Sequence, residues 1–157
     1  MKPASSGRIR CTGGGIGRTP KAAEGTRADY TAAMEAMNGV LFHAGKLTDG
    51  QKLLDVGCGF GGTLQQINGA YSDMDLTGLN IDPRQLAAAD ARSRPPMATP
   101  FAGRSDACEL PFEDNSFDRI LAVECIFHFP SRQKFLAEAA GCSNRAATWR
   151  CPTSSRP

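Results

Sequence analysis

Leu53-Leu-Asp-Val-Gly-Cys-Gly-Phe-Gly-Gly62 sets a run of strand-forming apolar residues directly before a turn built on glycines. Glycine lacks a Cβ and tolerates positive φ. Gly57, Gly59 and Gly61 would therefore let a ligand lie against bare backbone, where a following helix offers unpaired N–H groups. That is chemistry for the polar part of a nucleotide, although the same pattern also suits an ordinary strand-to-helix turn. Its neighbours add meaning. Asp55 stands two positions before the first glycine, and Asp75-Leu-Thr-Gly-Leu-Asn80 reads as a second strand with a polar end. Ser105-Asp106-Ala107 follows, and Leu110-Pro-Phe-Glu-Asp-Asn-Ser-Phe-Asp118 leads into the apolar run Ile120-Leu-Ala-Val123. Just past that run, Glu124-Cys-Ile-Phe-His-Phe-Pro130 carries a carboxylate and an imidazole, a residue type suited to taking a proton near neutral pH.

The elements that must position these residues alternate between helix and strand. Tyr30, Ala33, Met34, Met37, Val40, Leu41 and Ala44 repeat at three and four, which predicts an amphipathic helix over 27–44, ended by Gly45. Strands are expected at 52–57, 74–80, near 98–102 and at 118–124, with helices at 61–69, 83–92 and 131–140. Asp82-Pro83 fits a helix start better than a second acidic ligand, since Asp is a favoured N-cap and Pro suits the first helical position. Ser93-Arg-Pro-Pro-Met97 can only be a loop. Such alternation implies an α/β fold, a parallel sheet with helices on both faces.

In order and spacing, these segments resemble the class I S-adenosylmethionine-dependent methyltransferases, in the branch acting on small molecules such as sterols, quinones, amines and sugars. The resemblance covers roughly residues 30–140. It implies a partial Rossmann-like methyltransferase fold. The family sheet has strand order 3-2-1-4-5-7-6, and this chain supplies strands 1 to 4, leaving the later strands missing and 118–124 as an edge. It also implies S-adenosyl-L-methionine as cofactor, with no metal, and a small-molecule methyl acceptor. Asp55 would help hold the cofactor's amino group, and Gly57, Gly59 and Gly61 would admit its methionine part. Asn80, with Ile81 beside it, takes the ribose position, where the family normally has Asp or Glu. Asp106 would accept from the adenine amino group, and the backbone N–H of Ala107 would read a ring nitrogen. His128 is the candidate base, and Glu124 would line the pocket or orient His128.

Two other readings compete. An inactive or decayed methyltransferase fragment would keep the same residues without the activity. A nicotinamide dinucleotide oxidoreductase would use Gly57, Gly59 and Gly62 as its fingerprint, but Asn80 replaces the acid that fingerprint wants, and the Asp106 segment has no counterpart there. A second glycine cluster, Gly13-Gly-Gly-Ile-Gly17, has no strand before it and meets Thr19-Pro20 where a helix should begin, so it is expected to be a loop.

The chain has 157 residues, 41% hydrophobic and 22% charged, enough for one partial domain with a core. No apolar run suits a membrane span, and Met1-Lys-Pro-Ala-Ser-Ser6 does not read as a signal peptide, which leads to a cytoplasmic expectation. The cysteines at 11, 58, 108, 125, 142 and 151 lack C-x-x-C spacing, so reduced thiols are expected rather than a zinc site or disulfide framework. Net charge is +2, with the basic excess confined to 1–29 and 141–157 and an acidic excess in 30–140. Neither end interleaves aromatics with its arginines, which argues against nucleic acid as a partner. Nothing specifies an oligomeric state. Residues 1–29 are expected to form a flexible basic head, 30–140 the cofactor-binding part, and 141–157 an unstructured tail. A coding sequence for that tail exists in which restoring one nucleotide reads Arg-Val-Leu-Lys-Pro-Gly-Gly, the family's continuation, so the tail is expected to be out of frame and Trp149 solvated. Residues 8–20 are open to a similar explanation.

Overall fold

The computed structural model describes residues 26–92 and 102–144. Four strands form one sheet in the order β3-β2-β1-β4: β1 Lys52–Val56, β2 Asp75–Asn80, β3 Ala102–Arg104 and β4 Arg119–Leu121. Every pairing is parallel, with Leu54 opposite Thr77 on one side and Ile120 on the other. The helices are α1 Arg27–Ala44, α2 Gly62–Ala70, α3 Pro83–Arg92 and α4 Arg132–Cys142, with a short 3-10 turn at Ile126–His128.

The central strand is apolar because both of its faces are covered. Leu54 and Val56 join Leu79, Ile120, Phe135 and Ala139 in a core beneath α4. Leu53 turns the other way, to Phe42, Leu64, Ile67, Leu76 and Leu121 beneath α1 and α2. Burying each such side chain contributes about 1.5–3 kcal/mol. The helices start where their caps allow. Thr26 and Asp29 form a reciprocal capping box at α1, and the Ser131 hydroxyl accepts the Lys134 N–H at α4.

The structure corrects several sequence expectations. The apolar stripe predicted on α1 is not its buried face: Tyr30 is 69% and Val40 45% exposed, while Asn38 and Phe42 are buried. A polar clasp turns the helix this way. Asn38 Nδ2 donates to Gln66 Oε1 at 2.9 Å, and Gln66 Nε2 donates to the Glu35 carbonyl at 2.9 Å. β3 begins at Ala102, where the sequence pattern places the end of a 98–102 strand, and pairs through Leu79 with Ala102 and Asn80 with Arg104. Residues 98–101 lie outside the described residues. β4 spans Arg119–Leu121, not 118–124, because the chain leaves the sheet at Ala122.

α4 continues past Ala140 to Cys142, so the first residues assigned to the tail are ordered. The Phe117 N–H donates to the Cys142 carbonyl at 3.1 Å and the Asn144 N–H to the Phe117 carbonyl at 2.9 Å. These bonds form a parallel bridge between Phe117 and Ser143 just before β4, so the chain covers the start of that edge itself. The rest of the tail with Trp149, the head with Gly13–Gly17, Cys11 and Cys151 lie outside the described residues. The described cysteines, Cys58, Cys108, Cys125 and Cys142, are free and buried. No described helix is long and apolar enough to cross a membrane.

Candidate cofactor site

At the carboxyl end of β1 the backbone turns through Gly57, Gly59 and Gly61 at φ of 76°, 55° and 75°. The Gly57 and Cys58 N–H groups both donate to the Leu79 carbonyl, at 2.7 and 3.0 Å, which anchors the turn to β2. Gly61 is the N-cap of α2 and supplies no side-chain cap. The glycines differ in what they make room for. A Cβ on Gly57 would lie 2.7 Å from Cys125 Cβ and 2.8 Å from its Sγ, whereas one on Gly59 would meet only Gln85 Oε1, at 3.9 Å. At 57 the missing Cβ thus serves the protein's own packing, and only at 59 does it leave backbone open.

Beside this turn, a cavity of about 370 Å³ opens over the carboxyl ends of the strands. Val56 and Gly57 come from β1, Leu79, Asn80, Ile81, Asp82 and Gln85 from β2 and the start of α3, and Ser105, Asp106 and Ala107 from the segment after β3. Glu124, Cys125, His128, Phe129 and Pro130 follow β4. Of the residues singled out from sequence, Gly57, Asn80, Ile81, Asp106, Ala107, Glu124 and His128 therefore meet at one cavity, and Asp55, Gly59 and Gly61 do not line it. A wider groove of about 650 Å³ runs between α1 and the start of α2, past Tyr30, Glu35, Asn38 and Phe60. It gathers no strand end apart from the glycine turn itself.

Asp55 is 2% exposed, at the centre of the sheet opposite Gly78 and Leu121. Burial pushes its carboxyl from 3.8 up to about 7, because a charge there has lost its water. Burial and the neighbouring Asp55 together push the Cys58 thiol up to about 12. Cys58 is thus no nucleophile. Cys125 Sγ donates to the Val56 carbonyl at 3.0 Å.

Asp106 is both a turn residue and a cavity residue. Its Oδ1 accepts the Cys108 N–H at 2.9 Å, and the carboxylate has a second oxygen to offer. Asp82 is a helix start, as the sequence implied: it accepts the Arg84 N–H at 2.9 Å and pairs with the Arg84 guanidinium at 2.9 Å. Glu124 does not end β4. It lies beyond the strand, exposed, with φ of 53°, and no hydrogen bond joins it to His128. His128 closes the 3-10 turn, its N–H donating to the Cys125 carbonyl at 2.9 Å and its ring tilted against Phe127 with centroids 4.3 Å apart. Sequence reasoning passes over Gln85 and Cys125. For Gln85 the available signal is a polar residue in the first turn of a helix starting beside Asn80.

Residues 54–145, more than half of the chain, match a family described as a methyltransferase domain. The chain is 33% identical over 100 residues to an ajmaline N-methyltransferase of Rauvolfia serpentina, covering 62% of this chain and 34% of that protein. It is 34% identical over 113 residues to a 2-methyl-6-phytyl-1,4-hydroquinone methyltransferase of Synechocystis, covering 72% and 34%. Hence it spans about a third of the length of either relative. Among solved structures, a Haemonchus contortus phosphoethanolamine N-methyltransferase 2 with S-adenosylhomocysteine bound matches at a TM-score of 0.59 and 27% identity, over 69% of this chain and 26% of that one. The choice of nucleotide that the glycine turn left open is thereby made: the chain belongs to the methyltransferase-domain family, among the class I S-adenosylmethionine-dependent methyltransferases.

Proposed function

We propose that this chain carries the S-adenosylmethionine-binding part of an enzyme that methylates a small molecule. The observation that supports this most is the meeting of Gly57, Asn80, Asp106, Glu124 and His128 at one cavity above the ends of four parallel strands. Open parallel sheets bind ligands at that end. The cofactor supplies an activated methyl group on a sulfonium. The chain's own part is placement. Gly59 and the α2 N-terminus receive the methionine end, Asn80 and Ile81 the ribose, and Asp106 with the Ala107 N–H the adenine. His128 and Glu124 stand on the acceptor side, where His128 takes a proton when the acceptor must lose one. The acceptor is a small molecule that packs against the Phe127–Pro130 segment. The free, buried cysteines suit a reducing compartment, the cytoplasm.

Calorimetry on the 157-residue chain tests the cofactor directly. S-adenosylhomocysteine should give a saturable heat and NAD none, whereas the reverse would overturn the reading. Asp106→Asn is the sharper variant for the adenine position. It keeps an oxygen for the Cys108 N–H and loses only the charge and one acceptor. S-adenosylhomocysteine should then bind about fivefold more weakly, the size of one lost hydrogen bond. An unchanged affinity removes Asp106 from adenine recognition.

A further inference from the structure

An amide pair, Asn80 with Gln85, occupies the end of the cavity beside β2. Asn80 Oδ1 accepts the backbone N–H of Ile81 at 2.9 Å. A backbone N–H has only one polarity, so this bond fixes which end of the Asn80 side chain is oxygen. The Nδ2 end must then donate, and it does so to Gln85 Oε1 at 2.7 Å. Gln85 is held with its carbonyl turned to Asn80, which makes its remaining polar group an NH2, a donor. From the first turn of α3, its Oε1 also comes within 3.9 Å of the Cβ position of Gly59, so Gln85 reaches from β2 to the glycine turn. Both amides line the cavity.

The nearest carboxylate does not substitute for them. Asp82 lines the same cavity, but Oδ1 accepts from the Arg84 N–H and Nε, at 2.9 and 3.1 Å, and Oδ2 from the guanidinium at 2.9 Å. This end of the cavity therefore recognises its ligand without a free negative charge, through one acceptor oxygen on Asn80 and one donor group on Gln85. A vicinal diol matches that pair, because each hydroxyl can donate to one partner and accept from the other.

We propose that Gln85 is a specificity-determining residue of the cofactor site, forming with Asn80 a neutral clamp on the two hydroxyls of the nucleoside sugar. The inference rests on the proposed placement of the ribose at Asn80. Calorimetry with two probes, S-adenosylhomocysteine and its 2′,3′-dideoxy analogue, tests it on the full chain. In the unaltered chain the analogue should bind more weakly. Gln85→Leu should weaken S-adenosylhomocysteine about tenfold, as expected for losing one or two modest hydrogen bonds, and leave the analogue unchanged. An unchanged S-adenosylhomocysteine affinity, or an equal loss for both probes, overturns the clamp; the second result would mean that Gln85 only shapes the start of α3. Gln85→Ala gives the same comparison should the Leu variant fail to fold. An unaltered chain that binds S-adenosylhomocysteine and the analogue equally well overturns this inference alone. One that binds neither overturns the placement of the cofactor, and the clamp with it.

Discussion

Gly57→Ala is expected to destabilise the fold by about 3 kcal/mol. Two costs combine. At φ of 76° an L-residue lies in the left-handed region, which costs roughly 1–2 kcal/mol. The new methyl would also lie 2.7 Å from Cys125 Cβ and 2.8 Å from Sγ, and forcing a methyl into a packed interior typically costs about 1–3 kcal/mol. Cys125 cannot step aside freely. Its thiol is tied to the Val56 carbonyl at 3.0 Å, so moving it breaks that bond. The same movement would carry the loop of His128 away from the cavity, and S-adenosylhomocysteine binding should fall with stability. Urea denaturation measures the first effect. Combining Gly57→Ala with Cys125→Gly, which removes both contacting atoms, should relieve the steric part and leave the backbone part, giving a coupling of about 2 kcal/mol in a double-mutant cycle. A Gly57→Ala chain within about 0.5 kcal/mol of the unaltered one would show that β1 and the loop after β4 do not approach this closely.

How far the amino-acid sequence reveals the fold depends on the range of the forces involved. β1, β2 and the start of α3 are legible because their signals are local: Leu53-Leu54 with Val56 is a strand buried on both faces, and Asp82-Pro83 is an N-cap and first turn. The glycine turn is legible for the same reason. The buried face of α1 is not. Its orientation is set by Asn38 and Gln66, two polar residues whose bond forms only when the helices meet, and apolar periodicity points elsewhere. The end of β4 is hidden because Ala122 and Val123 continue the apolar pattern after sheet pairing has stopped. Gly141 reads as a helix breaker, yet α4 runs through it. There the Asn115 N–H donates to its carbonyl at 2.9 Å, and Asp114 Oδ1 lies 3.1 Å from where a Cβ would project. Within the site, the polar ends of the strands are visible as residue types, but the partner of each is not. Gln85 matters because of the direction of one hydrogen bond from Asn80, and Gly57 because of Cys125, a residue distant in sequence.

Stability should fall as pH rises from about 4 to about 7, and Asp55→Asn should abolish most of that fall. In the unfolded chain the Asp55 carboxyl titrates near 3.8, and in the fold at about 7, because burial opposes its charge. Between these values the folded protein keeps a proton that the unfolded chain has released. The unfolded state then binds fewer protons, so raising the pH favours unfolding throughout this window. Below 3.8 both states are protonated and nothing is lost. Above about 7 the loss is complete, on the order of 4 kcal/mol for a shift of this size. Two other shifted groups do not obscure the effect. The Cys58 thiol, pushed up to about 12, is neutral across the window, and Asp82, held below its ordinary value by Arg84, acts in the opposite sense at lower pH. Asparagine has nearly the shape of aspartate and no charge. Asp55→Asn should therefore match the unaltered chain near pH 4 and exceed it by several kcal/mol at pH 8, measured as urea midpoints along a pH series. The same variant tests the cofactor role. A carboxylate serving the cofactor's ammonium group must be ionised, so binding of S-adenosylhomocysteine at pH 6 should release a proton, visible as a dependence of the heat on buffer ionisation enthalpy. In Asp55→Asn that dependence should vanish. If the heat is independent of buffer while the stability slope is present, Asp55 is a buried acid of the sheet and the amino group is held elsewhere. If the slope is absent, the carboxyl is not desolvated in the centre of the sheet, and both assignments fail together.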